Sequence, residues 1–318
     1  MRHLLRTLAA ATIAAACTRA APPSVASAPT TARDSLIAVP GGRVFYRVLG
    51  TGDGVAVIGI HGGPGGQSCR MSPLGRLGAE RRVVLYDQLG TGRSDRPTDT
   101  TLWRLPRFVQ EIDSIRARLG LREVVLAGFS WGGTVALEYA LERPNSGVRA
   151  LVLGSPLLST PRWMADADTL VAALPAVARD AILAADRRGD YDTPPFRAAM
   201  DSFAVRHLAR RPAPPAPECT GVTGNQAIYR YMWGPSEFRA TGTLRTYDRE
   251  ARLGELRLPV LLVTGEHDEA RPSTMRDFQR RIAGAELVVV PGAGHGLLRD
   301  APVEVTDAIR DFLARRVR

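Results

Sequence analysis

Hydrophobic and polar positions along the chain follow two alternating regimes. Short, nearly unbroken apolar runs occur at residues 44–48, 55–60, 82–87, 124–128, 148–154, 260–265 and 287–290. Longer stretches at 103–119, 131–143, 273–282 and 303–316 carry apolar residues at helical spacing. A strand that is apolar on consecutive positions must be covered on both faces. The alternation therefore predicts an α/β fold with a mostly parallel sheet and helices on both faces. One interruption stands out: residues 156–243 hold no convincing strand and are rich in Ala, Arg and Pro. This segment reads as an inserted helical cap, broken at 210–217 by clustered prolines that cannot continue a helix. An insertion after a sheet strand lies over the strand ends where ligands bind in open α/β sheets. The core is accordingly expected at 35–155 and 244–318.

The ends of the chain change that picture little. Arg2 and Arg6 precede a short apolar run, followed by small residues and Cys17. This is the pattern of an export signal over 1–17, too short to span a bilayer as a helix. Ala14-Ala15-Ala16-Cys17 resembles a bacterial lipobox, which makes Cys17 a lipidation candidate. The mature protein is then expected as a periplasmic protein or a membrane-anchored lipoprotein. Residues 18–34, rich in Ala, Pro, Ser and Thr, read as a flexible tether. Cys69 and Cys219 remain, either as a disulfide suited to an oxidising compartment or as two thiols.

With 318 residues, 45% of them hydrophobic, the chain can bury a sizeable core. Its formal charge of +10 comes entirely from arginine, since lysine is absent, and the arginines are scattered among acids. No basic stretch interleaved with aromatics occurs, so nucleic acid is not an expected partner.

The chemistry begins at Gly128-Phe129-Ser130-Trp131-Gly132, a G-x-S-x-G string placed where an apolar run gives way to a helical pattern. At such a turn a serine hydroxyl is exposed as a nucleophile, and the amides opening the helix face the charge that develops there. A serine needs a base, and the base needs a carboxylate to orient it. Two later strand ends supply candidates: Gly265-Glu266-His267-Asp268, and Gly292-Ala293-Gly294-His295. The chain order Ser130, acid, His295 is that of α/β-hydrolases, whose spacing of glycine, two residues and acid selects Asp268. The glycine-rich loop His61-Gly62-Gly63-Pro64-Gly65-Gly66 lacks the lysine of a phosphate loop. It reads instead as half of an oxyanion hole, in which the Gly63 and Trp131 amides form the pair. His61 would brace that loop and Pro64 would stiffen it.

Three strings together, His61-Gly62-Gly63-Pro64-Gly65, Tyr86-Asp87-Gln88-Leu89-Gly90-Thr91-Gly92-Arg93-Ser94 and Gly128-Phe129-Ser130-Trp131-Gly132-Gly133, resemble the proline iminopeptidase family of α/β-hydrolase serine peptidases. The likeness extends from about residue 37 to the C-terminus. It includes the cap string Tyr231-Met232-Trp233-Gly234-Pro235-Ser236-Glu237-Phe238. The resemblance implies an acyl-enzyme aminopeptidase, without metal or organic cofactor, acting on short peptides or amides with a free N-terminus. In this reading Glu237 binds the substrate ammonium, and Phe129, Trp131, Tyr229 and Trp233 are wall candidates. The family's second cap acid has no clear match here, Asp201 and Glu218 being the candidates. Leu89, where many relatives have arginine, also occurs in the branch of tricorn-interacting aminopeptidases, which accept several N-terminal residues. The alternative with the same triad is an exported esterase, amidase or lactonase acting on small acyl substrates.

Overall fold

The computed structural model describes residues 33–213 and 215–317. The expected signal at 1–17, Cys17 and all but the last two residues of the expected tether lie outside them. Those last two residues correct the tether's boundary. Strand β1 (Arg33–Val39) already pairs antiparallel with β2 (Gly42–Ile60), Arg33 opposite Val48 and Asp34 opposite Arg47. An Asp34–Arg47 ion pair at 2.5 Å reinforces that start.

Among the described residues the sheet has seven strands in the order β1, β2, β4, β5, β6, β7, with β3 (Arg81–Tyr86) also paired to β2. The apolar runs at 44–48 and 55–60 are the two halves of the long β2. Val84 of β3 stands opposite both Val48 and Ile58, so β3 lies between those halves. From β2 onward β4 (Val124–Phe129), β5 (Val148–Gly154), β6 (Val260–Gly265) and β7 (Glu286–Val290) add in parallel.

Side-chain alternation explains the unbroken apolar runs. Leu126, Leu153 and Leu262 enter one core, beneath α1 (Leu105–Leu119), α2 (Trp131–Glu142) and the later helix that carries Met275 and Phe278. Val125, Val152 and Val263 enter the other, with Met71, Leu74, Ile309 and Phe312. Both faces of the central strands are therefore dry.

Between β5 and β6 come α3 (Thr160–Ala172), α4 (Ala176–Arg188), α5 (Pro194–Phe203) and α6 (Gln226–Met232). The first three share a separate apolar core built on Val171, Ile182, Phe196, Phe203 and Phe238. After β6 the chain forms α7 (Pro272–Arg281), and after β7 it forms α8 (Leu297–Asp300) and α9 (Pro302–Arg316). The functional loops all leave the C-terminal ends of parallel strands, where the inserted helices face them.

Candidate active site

Ser130 is the single residue between β4 and α2. Its backbone, at φ 53° and ψ −122°, is a conformation that costs energy for any residue with a side chain. The turn is possible only because its flanks carry no Cβ. One on Gly128 would stand 2.1 Å from Gly132 O, and one on Gly132 would stand 2.0 Å from Ile60 O.

Asp268 lies on the loop after β6, buried and well bonded. Its Oδ1 accepts from Ala270 N at 2.8 Å and faces His295 Nδ1 at 2.9 Å, while Oδ2 accepts from Gly265 N at 3.2 Å and from Ser155 Oγ. These donors hold the carboxylate in one orientation toward the imidazole. The His295 loop is gripped from the cap. A π-helical turn at Ala204–Leu208 ends α5, and its His207 and Leu208 carbonyls accept from the His295 and Gly296 amides, both at 2.7 Å. The Trp163 ring meets the imidazole edge-on at 5.5 Å.

Ser130 and His295 line one cavity of about 690 Å³ without being hydrogen-bonded to each other. Such contacts are often long before substrate arrives. Gly62 and Gly63 line the same cavity. The Trp131 amide, first in α2, has no carbonyl of its own helix to bond.

At one end of the cavity three polar side chains converge beyond His295. Tyr229 Oη donates to Glu237 Oε2 at 2.6 Å, and Glu269 Oε1 lies 3.6 Å from His295 Nε2. Desolvation raises the pKa of Glu237, and it raises that of Glu269 well above the carboxylate range, helped by the charge of Glu237. For His295 desolvation works against the imidazolium. The carboxylates of Asp268, Glu269 and Glu237 outweigh it and raise the pKa to about 9. Two acids that resist sharing negative charge make a site for a cation.

The chain matches the model of the alpha/beta hydrolase fold over residues 55–302. It is 39% identical over 284 residues to the proline iminopeptidase of Heyndrickxia coagulans, covering 88% of this chain and 98% of that one. Among solved structures, the proline iminopeptidase of Mycobacterium smegmatis superposes with a TM-score of 0.80 at 28% identity, covering 89% of this chain and 98% of that one. VinJ superposes at 0.82 with 29% identity, covering 91% and 100%. The chain belongs to the proline iminopeptidase family. It is accordingly an enzyme, a serine hydrolase on the α/β-hydrolase fold.

For this member of the proline iminopeptidase family the structure brings Ser130, Asp268, His295, Gly63, Phe129, Tyr229 and Glu237 to one place. It corrects three other readings. Trp233 is not a wall residue: its ring is buried against Trp163 and its Nε1 donates to Ser236 O at 2.9 Å. The Trp131 side chain is likewise core, packed edge-on against Phe108 at 5.6 Å, and is not a wall residue. Neither candidate for the second acid faces Glu237. Asp201 is exposed on α5, and Glu218, though at the cavity wall, accepts from Ser72 Oγ. The acid that lines the cavity together with Glu237 is Glu269, and its signal was an acid directly following Asp268 on a loop that must be buried. Ser155 was also missed, because nothing in sequence marks a serine at the end of β5 as a partner of Asp268.

The two cysteines are bonded. Cys69 and Cys219 form a disulfide, Cα atoms 5.3 Å apart, that ties the segment after the glycine loop to the returning arm of the cap. The same arm is fastened by Asn225, whose N–H donates to Gly65 O at 2.7 Å and whose Nδ2 donates to Gly90 O at 2.9 Å.

Proposed function

We propose that the protein is an aminopeptidase that releases the N-terminal residue, proline by preference, from peptides with a free amino terminus. The observation that carries this reading is the pair Glu237 and Glu269 beside His295 in the cavity of Ser130. A substrate ammonium between the two carboxylates relieves their mutual repulsion. It also sets the first peptide carbonyl against Ser130 and leaves no room for residues upstream.

Ser130 then attacks that carbonyl as His295 takes its proton. Asp268 fixes the imidazole tautomer and stabilises the imidazolium, and the amides of Gly63 and Trp131 receive the oxyanion. His295 protonates the leaving amine. Water next attacks the acyl-enzyme, again through His295, and frees the amino acid. The elevated pKa of His295 belongs to the empty site. An ammonium at Glu237 and Glu269 offsets the carboxylate charge that helps hold the proton, so substrate binding itself prepares the base.

The comparison that tests this reading sets prolyl, alanyl and leucyl amides against their N-acetylated forms, with a short-chain phenyl ester alongside. Blocking the amine is expected to abolish most amide turnover while the ester is spared. Equal turnover of free and blocked amides would defeat the reading in favour of a general esterase or amidase.

We further propose that the cap at 156–243 is the specificity-bearing part and that the protein is exported, with Cys17 lipidated. The basic and apolar start of the chain supports export, as does a disulfide of a kind that persists in oxidising compartments. Incorporation of a labelled fatty acid that is lost in Cys17→Ser tests the anchor.

A further inference from the structure

We infer that Gln88 is a positioning residue that holds the two halves of the oxyanion hole in register through a single buried amide. The inference rests on the reading of Ser130, Gly63 and Trp131 given above, and it adds a residue that touches no substrate.

Gln88 follows β3 and is fully buried behind the cavity. Its Oε1 accepts from Trp131 Nε1 at 2.8 Å, and its Nε2 donates to His61 O at 3.0 Å. The orientation of the amide is unambiguous, because an indole N–H can only donate and a carbonyl can only accept. One side chain thus joins the residue after the nucleophile to the first residue of the glycine loop.

The backbone of Gln88 sets the rest of the loop. Its N–H donates to His61 Nε2 at 3.1 Å, which requires that nitrogen to be bare and puts the ring proton on Nδ1. Nδ1 lies 2.8 Å from Gly62 O and donates to it. Desolvation lowers the His61 pKa despite the pull of Asp87, in keeping with a neutral ring. The Gly62 carbonyl and the Gly63 N–H belong to one planar peptide and point in opposite directions. Tying the carbonyl to the imidazole therefore aims the Gly63 N–H away from it. On the other side, the Trp131 ring is held between Gln88 and Phe108, which fixes the first turn of α2 and its amide.

Gln88 is itself anchored. Thr91 Oγ1 donates to its carbonyl at 2.8 Å, and the next amide, Leu89 N, donates to Glu111 Oε1 at 2.9 Å. Glu111 is paired with Arg107 on α1 at 2.7 Å. A methionine would fill a similar volume without the desolvation cost of a buried amide. What only the amide supplies is direction, from the core to both amides that meet the oxyanion.

The test uses Gln88→Met, with Trp131→Phe as a second variant that cuts one of the two side-chain bonds and keeps the backbone amide. For Gln88→Met, kcat is expected to fall roughly tenfold or more on prolyl amide and phenyl ester alike, with KM changed less than about twofold. Affinity for a prolyl boronate, whose tetrahedral adduct occupies the oxyanion hole, should fall in proportion to kcat/KM. Affinity for prolinol, which has the ammonium and no carbonyl, should stay the same. Trp131→Phe should fall in the same direction by less, and the double variant should be no worse than Gln88→Met. Unchanged kcat in folded Gln88→Met would overturn the inference, as would parallel loss of boronate and prolinol affinity. Activity persisting in Ser130→Ala would instead overturn the reading on which it rests.

Discussion

The two ends of the cavity are built in different ways. At the catalytic end, Ser130, Asp268 and His295 come from the ends of three parallel strands, β4, β6 and β7, and hydrogen bonds hold the acid and the histidine loop in place. The acidic end is assembled across the fold, Tyr229 from α6, Glu237 from the loop that follows it and Glu269 from the core loop after β6, and burial raises the pKa of both carboxylates. The first end has its acid and its histidine in place before substrate binds. In the proposed function the second is completed by the substrate ammonium, so the chemistry of the triad is separated from the selection of a free N-terminus.

Each substitution should therefore reveal which end it belongs to. Ser130→Ala is expected to lower kcat by about 10⁴-fold or more on amides and esters alike. Steady-state kinetics on both substrates checks this, and a loss confined to one substrate would break the comparison. Glu269→Gln should lower kcat/KM on free-amine amides by roughly 10²-fold, as expected when one partner of a buried ion pair is lost. The ester, which has no ammonium, should show no such loss.

The pH profile sharpens the same contrast. The acid limb of kcat/KM reports the free enzyme, whose His295 titrates at about 9, so activity rises as pH climbs toward that value. The acid limb of kcat, measured with the ammonium bound, should lie lower. Glu269→Gln should move the kcat/KM limb downward, because it removes a charge that stabilises the imidazolium. Coincident limbs unaffected by the substitution would show that the two ends do not communicate.

Stability offers the smallest of the expected effects. Cys69 and Cys219 are 150 residues apart in sequence, so opening their bond frees a long loop in the unfolded chain. Cys219→Ser should cost about 2–4 kcal/mol and lower Tm by several degrees. Thermal unfolding with and without reductant measures it, and KM should rise more than kcat falls, because the bond holds the cap arm.

Legibility in the sequence follows the same division. The Ser130 turn, the His295 loop and the central strands could be read because each is a local pattern whose residues are contiguous and whose periodicity is forced by two-sided burial. β1 escaped because it is an edge strand with one exposed face, and its composition continues that of the segment before it. Trp233 was misassigned because an aromatic in a cap reads the same whether it faces the cavity or, as here, Trp163. Glu269 escaped because its neighbours in sequence belong to the core, whereas the fold brings that core loop to the same cavity as Glu237. Gln88 lay in plain view in a glycine-rich string, yet its bonds to His61 and Trp131 span 27 and 43 residues. Local sequence specifies what a turn can do, and only the packed sheet shows which turns meet.

The most direct measurement is the ratio of kcat/KM for a free prolyl amide to that for its N-acetyl form, in the wild type and in the double variant Glu237→Gln/Glu269→Gln. The two acids are expected to give a wild-type preference for the free amine of roughly 10²-fold or more, collapsing toward unity in the variant while ester turnover through Ser130 persists. A preference that survives loss of both carboxylates, or a wild-type ratio near one, would contradict the assignment of this cavity end to the substrate ammonium.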